Sequence, residues 1–152
     1  MSKARLAYVN LFARDHVALA RFYRTVFGFE EIRALRSPIY RCLDAGGVEM
    51  GFNAENAYAL LGLDDRVPTD RASVRTYVTI EVDSTAAIDA ALAVAVKNGA
   101  LLVKAAYDTY YNARQAVMED PEGNVFRINH RMGPRIPAEE LVNPPWEAEG
   151  ST

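Results

Sequence analysis

Cysteine and histidine are nearly missing from this chain: Cys42, His16 and His130 are all it has in 152 residues. A single cysteine excludes an intramolecular disulfide. No histidine lies near it in sequence to activate it, so Cys42 is expected to pack as a small buried hydrophobe rather than act as a nucleophile. An excess of positive charge is also lacking. Seventeen Lys and Arg against 20 Asp and Glu give a net charge of −3, which argues against a partner with a phosphate backbone, and nucleic acid is set aside. No apolar run is long enough for a bilayer span, and no apolar segment opens the chain as a secretion signal would, so no membrane association and a cytoplasmic location are expected. Proline is scarce until the end, where four of the seven fall after His130 and argue against further sheet.

What is present is enough for one core. Half of the residues are hydrophobic in a chain near the modal domain size, so residues 1–152 are expected to form a single domain. "LAYVNLFA" fits a strand, and Asp15 is a good N-cap for the helix after it. Leu19, Phe22, Tyr23 and Val26 form one apolar stripe at i, i+3, i+4 and i+7, and Gly28 supplies the stop. "SPIYRCLDA" and "VEMGFN" then read as strands joined through Gly46-Gly47.

The second half repeats this order. "TYVTIEVD" is an alternating strand and Ser84 or Thr85 can cap. Ile88, Ala91, Leu92 and Ala95 repeat the helical stripe up to Asn98-Gly99, and "ALLVKAA", "ARQAVMED" and "NVFRINH" follow as strands. A βαβββ unit thus occurs twice, an α+β arrangement with module one at 5–53, a connector at 54–73, module two at 74–130 and a tail at 131–152. Overlaying the copies matches Tyr8–Leu11 with Tyr77–Ile80, and Gly46–Met50 with Gly123–Arg127. The connector mixes a short helical stretch with Asp, Arg and Pro and can cover one end of a cavity. The tail packs Leu141 and Trp146 on its own domain or on a second subunit.

"YVNLFARDHVALARFYRTVFGFEE" and "AVMEDPEGNVFRINH" resemble the opening and closing signatures of the vicinal oxygen chelate superfamily, which holds glyoxalases, extradiol dioxygenases and fosfomycin- and bleomycin-resistance proteins. The most specific pieces are Phe22-Tyr23 with Phe27-Gly28-Phe29, and Asp120-Pro121 with Gly123-Asn124. The resemblance spans residues 5–130 and implies two βαβββ modules whose mixed sheets curl into a half-open cup, often completed in a dimer. Metal-dependent members place a histidine early in the first strand of each module and a glutamate on a last strand. Here those positions fall on Tyr8, Tyr77, Met50 and Arg127, which are not a ligand set. Neither a metal nor another cofactor is expected.

Strand alternation then assigns the lining of the cup. Tyr8, Asn10 and Phe12 share one face of the first strand, Tyr77, Thr79 and Glu81 that of its counterpart, and Arg127 and Asn129 that of the last strand, with Met50 at the matched place in module one. Tyr110, in the loop "YDTYYN", adds to it, and Tyr40, Tyr58, Tyr107 and Tyr111 are further candidates. Arg127 cannot shed its charge, so it is either an anchor for a ligand or half of an internal pair with Glu81. An arginine fork with phenols around it suits a carboxylate, phenolate or enolate on a planar molecule. The expected function is metal-independent binding of a small aromatic or anionic molecule. If the protein is an enzyme, it is an isomerase, cyclase or lyase in which Arg127 holds developing negative charge and Tyr8, Tyr77 or Glu81 moves protons. The alternative is a non-catalytic drug-sequestering protein of the bleomycin-resistance kind, and a metal-dependent glyoxalase or dioxygenase stands behind both. A homodimer is the expected assembly.

Overall fold

The computed structural model describes residues 3–70 and 73–141. Trp146 and the rest of the tail call beyond residue 141 lie outside the described residues. Module one runs β1 (Tyr8–Ala13), α1 (His16–Phe27), β2 (Glu30–Glu31), β3 (Tyr40–Asp44) and β4 (Glu49–Ala54). A short helix α2 (Ala57–Leu60) lies in the connector, and module two runs β5 (Val78–Glu81), α3 (Thr85–Lys97), β6 (Leu101–Asp108), β7 (Ala113–Glu119) and β8 (Val125–Arg131). Each module makes one four-stranded sheet of the same topology, β1-β4-β3-β2 and β5-β8-β7-β6. In each, the first and last strands pair in parallel across the helical crossover.

The helix ends follow local chemistry. The Asp15 carboxylate accepts the Ala18 N–H at 2.9 Å, Ser84 accepts that of Ala87 at 3.0 Å, and Gly28 closes α1 at φ 71°, a left-handed cap. The two-residue strand β2 is too short to carry an alternation and is found only through its pairing with β3.

Helix α1 lies between the two sheets. Its Tyr23 ring packs 5.5 Å from Phe52 of β4 and 5.7 Å from Phe126 of β8, and Phe22 and Phe27 also meet Phe126. One hydrophobic core therefore takes Leu19, Tyr23, Leu43, Met50 and Phe52 from module one and Ile88, Met118, Phe126 and Ile128 from module two. The Tyr23 hydroxyl donates to Asp120 Oδ2 at 2.8 Å inside this core. The other carboxylate oxygen accepts the N–H groups of Glu122 and Asn124 in the turn between β7 and β8. Burial raises the Asp120 pKa despite these bonds, because the charge has been taken out of water.

The last strand of module one departs from the overlay of the two copies. The β3–β4 turn has two residues between its paired ends, Gly46 and Gly47, whereas the β7–β8 turn has three, Pro121 to Gly123. Aligning the two glycine turns therefore shifts β4 by one residue and turns every side chain to the opposite face. Met50 belongs with Phe126 in the core, not in the cup, and Glu49 takes the outward place beside Tyr8.

Tyr23→Phe keeps the ring but removes the only side chain among the described residues that donates to Asp120 Oδ2. It is expected to cost about 1.5–3 kcal/mol, the usual range for a hydrogen bond to a charged group. Urea denaturation measures this; unchanged stability would show that the bond is incidental.

Candidate functional site

Because both sheets turn one face inward onto the common core, their other faces point outward. Face one carries Tyr8, Asn10 and Phe12 from β1, Glu49 and Gly51 from β4, and Tyr40 and Cys42 from β3. Gly51 leaves room for what crosses it: Tyr40 Oη donates to Asn10 Oδ1 at 3.2 Å, and a Cβ at position 51 would push both side chains aside. Phe12 stacks on Tyr58 of α2 with centroids 3.8 Å apart, so the connector closes one end of this face. Tyr8 is 43% exposed. The neighbouring Glu49 carboxylate, by hydrogen bonding and by repulsion, raises the phenol's pKa, so Tyr8 keeps its proton at neutral pH. Burial raises the pKa of Tyr40 and of the fully buried Cys42 as well. Cys42 packs as a thiol.

Face two is built around Arg127. Its Nε donates to Thr79 Oγ1 at 3.1 Å and its Nη1 to Tyr111 Oη at 3.2 Å, while its Cζ lies 5.2 Å from the centre of the Tyr77 ring. Tyr111 in turn donates to Gln115 Oε1 at 2.6 Å, and Gln115 Nε2 donates to Tyr107 Oη. Gln115 is buried and Lys104 sits over the Tyr107 ring. The direction of these bonds leaves the Tyr107 hydroxyl proton and the outer guanidinium N–H groups available to a ligand. Among the described residues, the partners of Arg127 are two hydroxyls and a ring, with no carboxylate.

The internal pair with Glu81 is not formed. Glu81 accepts Asn129 Nδ2 at 2.6 Å and the Arg131 N–H at 2.7 Å, so both of its oxygens are engaged in holding β5 to β8. Asn129 Oδ1 is buried with no partner. Tyr110 packs edge-on against Tyr111, which is the tyrosine that reaches Arg127.

The structure thus divides the expected lining. Tyr8, Asn10 and Phe12 lie on face one, Tyr77, Thr79, Glu81, Arg127 and Asn129 on face two, and no described hydrogen bond, ion pair or ring contact joins the two sets. Sequence reasoning put Met50 in the lining where Glu49 stands and overlooked Gln115. Counting alternation outward from the two turns of unequal length finds the first, and the place of Gln115 on the face of β7 opposite the core residues Ala116 and Met118 marks the second.

The metal pattern of the resembling proteins does not fit these residues. The outward positions carry phenols, the Arg127 guanidinium and the carboxylates of Glu49 and Glu81, the latter with both oxygens already bonded, and among the described residues no three of His, Cys, Asp and Glu converge. A cation beside Arg127 would be repelled.

The family model for the glyoxalase/bleomycin resistance protein/dioxygenase superfamily matches residues 5–128. A crystal structure of a family enzyme from Burkholderia phytofirmans PsJN is 48% identical, with 84% of this chain and 99% of that one covered at a TM-score of 0.80. A lactoylglutathione lyase from Agrobacterium tumefaciens shares the fold at 18% identity, covering 86% and 96% of the two chains with a TM-score of 0.63. A fosfomycin resistance protein from Mesorhizobium loti does so at 13% identity, covering 86% and 93% with a TM-score of 0.61. No curated protein matches.

Purified without added metal, the protein is expected to carry no stoichiometric zinc, iron or manganese. Elemental analysis checks this, and about one tightly held ion per chain whose removal abolishes ligand binding would contradict it.

Proposed function

The chain belongs to the glyoxalase/bleomycin resistance protein/dioxygenase superfamily, and from that premise we propose that it binds a small planar organic anion without a metal ion. The site is a cup formed by face one of one copy and face two of another. The observation that carries this reading is the Arg127 guanidinium, fixed by Thr79 and Tyr111 and flanked by the Tyr77 ring, with none of its charge neutralised by a carboxylate partner. A carboxylate, phenolate or enolate supplies the missing anion to a fork already held in place, and the Tyr77 ring offers a surface to a planar molecule. Thr79 and the relay through Tyr111, Gln115 and Tyr107 position the guanidinium so that little freedom is lost on binding.

Two copies are needed because the faces look away from one another within a chain. Tyr8 and Tyr77 are 43% and 54% exposed in the single chain, large apolar rings that a second copy would cover. Glu49 and Asp44 make face one acidic, whereas face two presents Arg127 and Lys104 beside a Glu81 whose oxygens are engaged by Asn129 and Arg131, so opposite charges can meet across the two faces. A two-fold dimer joining them would form two equivalent cups.

The same geometry supports catalysis of an isomerisation, cyclisation or lyase-type cleavage, and the 48% identical Burkholderia protein is itself a family enzyme. Arg127 holds the negative charge that develops when a proton leaves carbon. Tyr8, kept protonated by Glu49, is suited to donate a proton, and Glu49 to receive one through it. Glu81, with both oxygens occupied, is less suited to either task than Glu49.

A thermal-shift screen of aromatic and keto acids, followed by product analysis of the hits, tests the reading. Turnover identifies an enzyme, and a ligand recovered unchanged identifies a binding protein. Arg127→Met is expected to leave folding nearly unaffected, since the side chain is partly exposed. It should weaken binding of an anionic hit by about 2–5 kcal/mol, the cost of truncating one partner of a desolvated charge pair. Equal affinity in wild type and variant would overturn the assignment.

A further inference from the structure

Helix α1 turns Leu19, Phe22 and Tyr23 into the core and leaves Arg21, Arg24 and Thr25 on its outer side. These three, with Gly28, Phe29, Glu30, Glu31 and Arg33, line a groove of about 650 Å³. Arg36 and Arg41 stand at its adjoining end, where Arg21, Arg24 and Glu31 reappear. Five arginines therefore face two glutamates in a chain whose net charge is −3.

The one buried carboxylate among them is already committed. Glu31 accepts Arg36 Nε at 2.9 Å and Nη2 at 2.5 Å, and Arg41 Nε lies 3.7 Å away, so this anion is shared between two guanidinia. The bond to Arg36, with the charges of Arg24 and Arg41 adding attraction, holds the Glu31 carboxyl below its usual pKa. No hydrogen bond or ion pair among the described residues engages the side chains of Arg21, Arg24 or Arg33. Arg21 and Arg24 are spaced i, i+3 on one helix, where like charges repel. Of the lining carboxylates, Glu31 is shared with Arg36 and Arg41 while also attracting Arg24, and Glu30 is exposed, so positive charge stays in excess.

We infer that this groove is a second ligand site, separate from faces one and two, and that it takes a phosphorylated small molecule. A phosphate group brings the charge and the several acceptor oxygens that three unengaged guanidinium forks can meet at once. Thr25 supplies a further hydroxyl donor and Phe29 an apolar wall for the organic part. The volume falls within the range of small-molecule sites.

Inorganic pyrophosphate is the probe, titrated calorimetrically into the full-length protein at about physiological ionic strength, where non-specific attraction is screened. Saturable binding is expected. It should weaken by about tenfold or more in Arg21→Ser/Arg24→Ser, which removes two charge-assisted contacts. Both side chains are exposed, so the double variant should stay folded and melt only a little below wild type, by the lower helix propensity of serine and the loss of a last-turn cation. Arg127→Met should bind the probe as wild type does, which keeps this site distinguishable from face two. The inference is overturned by absence of saturable binding, by unchanged affinity in the double variant, by loss of binding in Arg127→Met instead, or by citrate binding as tightly as pyrophosphate.

Discussion

The hydrogen bond from Tyr23 to Asp120 joins the helix of the first module to the last hairpin of the second, and it does so inside the shared core. A carboxylate removed from water must be surrounded by donors, and Asp120 draws them from both modules: a phenol of α1 and two backbone N–H groups of its own turn. Once α1 is held there, its aromatic residues fill the space between the sheets, and each sheet has one face committed to the interior. The outward direction of Tyr8, Glu49, Tyr77 and Arg127 follows from this packing.

That packing also decides what the outer faces can do. A guanidinium supported only by hydroxyls and a ring is tolerable at a half-open surface, where water completes its shell. In the proposed dimer a second copy would enclose the same group and make it a strong and oriented electrophilic contact, since its field would be less screened by solvent. On the proposed function, association between copies and recognition of a ligand would draw on the same charges, the acid on face one and the cations on face two. The arginine groove on the outer side of α1 lies apart from both faces, so an anion there does not compete for Arg127.

Much of this was legible in the sequence because it is set by local rules. Asp15, Gly28 and Ser84 mark helix ends through their own hydrogen bonds and backbone conformations, and the period-2 pattern of "TYVTIEVD" and "NVFRINH" separates Ile80, Phe126 and Ile128 from Thr79, Arg127 and Asn129. The misreading of Met50 arose where two similar glycine turns differ by one residue, a difference that local pattern does not expose and cross-strand pairing does. The partner of Glu81 was equally hidden: Asn129 lies 48 residues away and directly opposite it across the β5–β8 pair. Alternation states which residues share a face. It does not state whether two faces meet, and the division of the lining into two half-sites belongs to tertiary packing alone.

The central claim is that the half-sites meet between copies and never within one. Tyr8 and Tyr77, one on each face, are both exposed, while Cys42 is fully buried and will not compete for a thiol reagent. A Tyr8→Cys/Tyr77→Cys variant treated with a short bis-maleimide is predicted to run as a covalent dimer on a denaturing gel. Linkage of the two cysteines within a single chain, with no dimer band, would contradict the account.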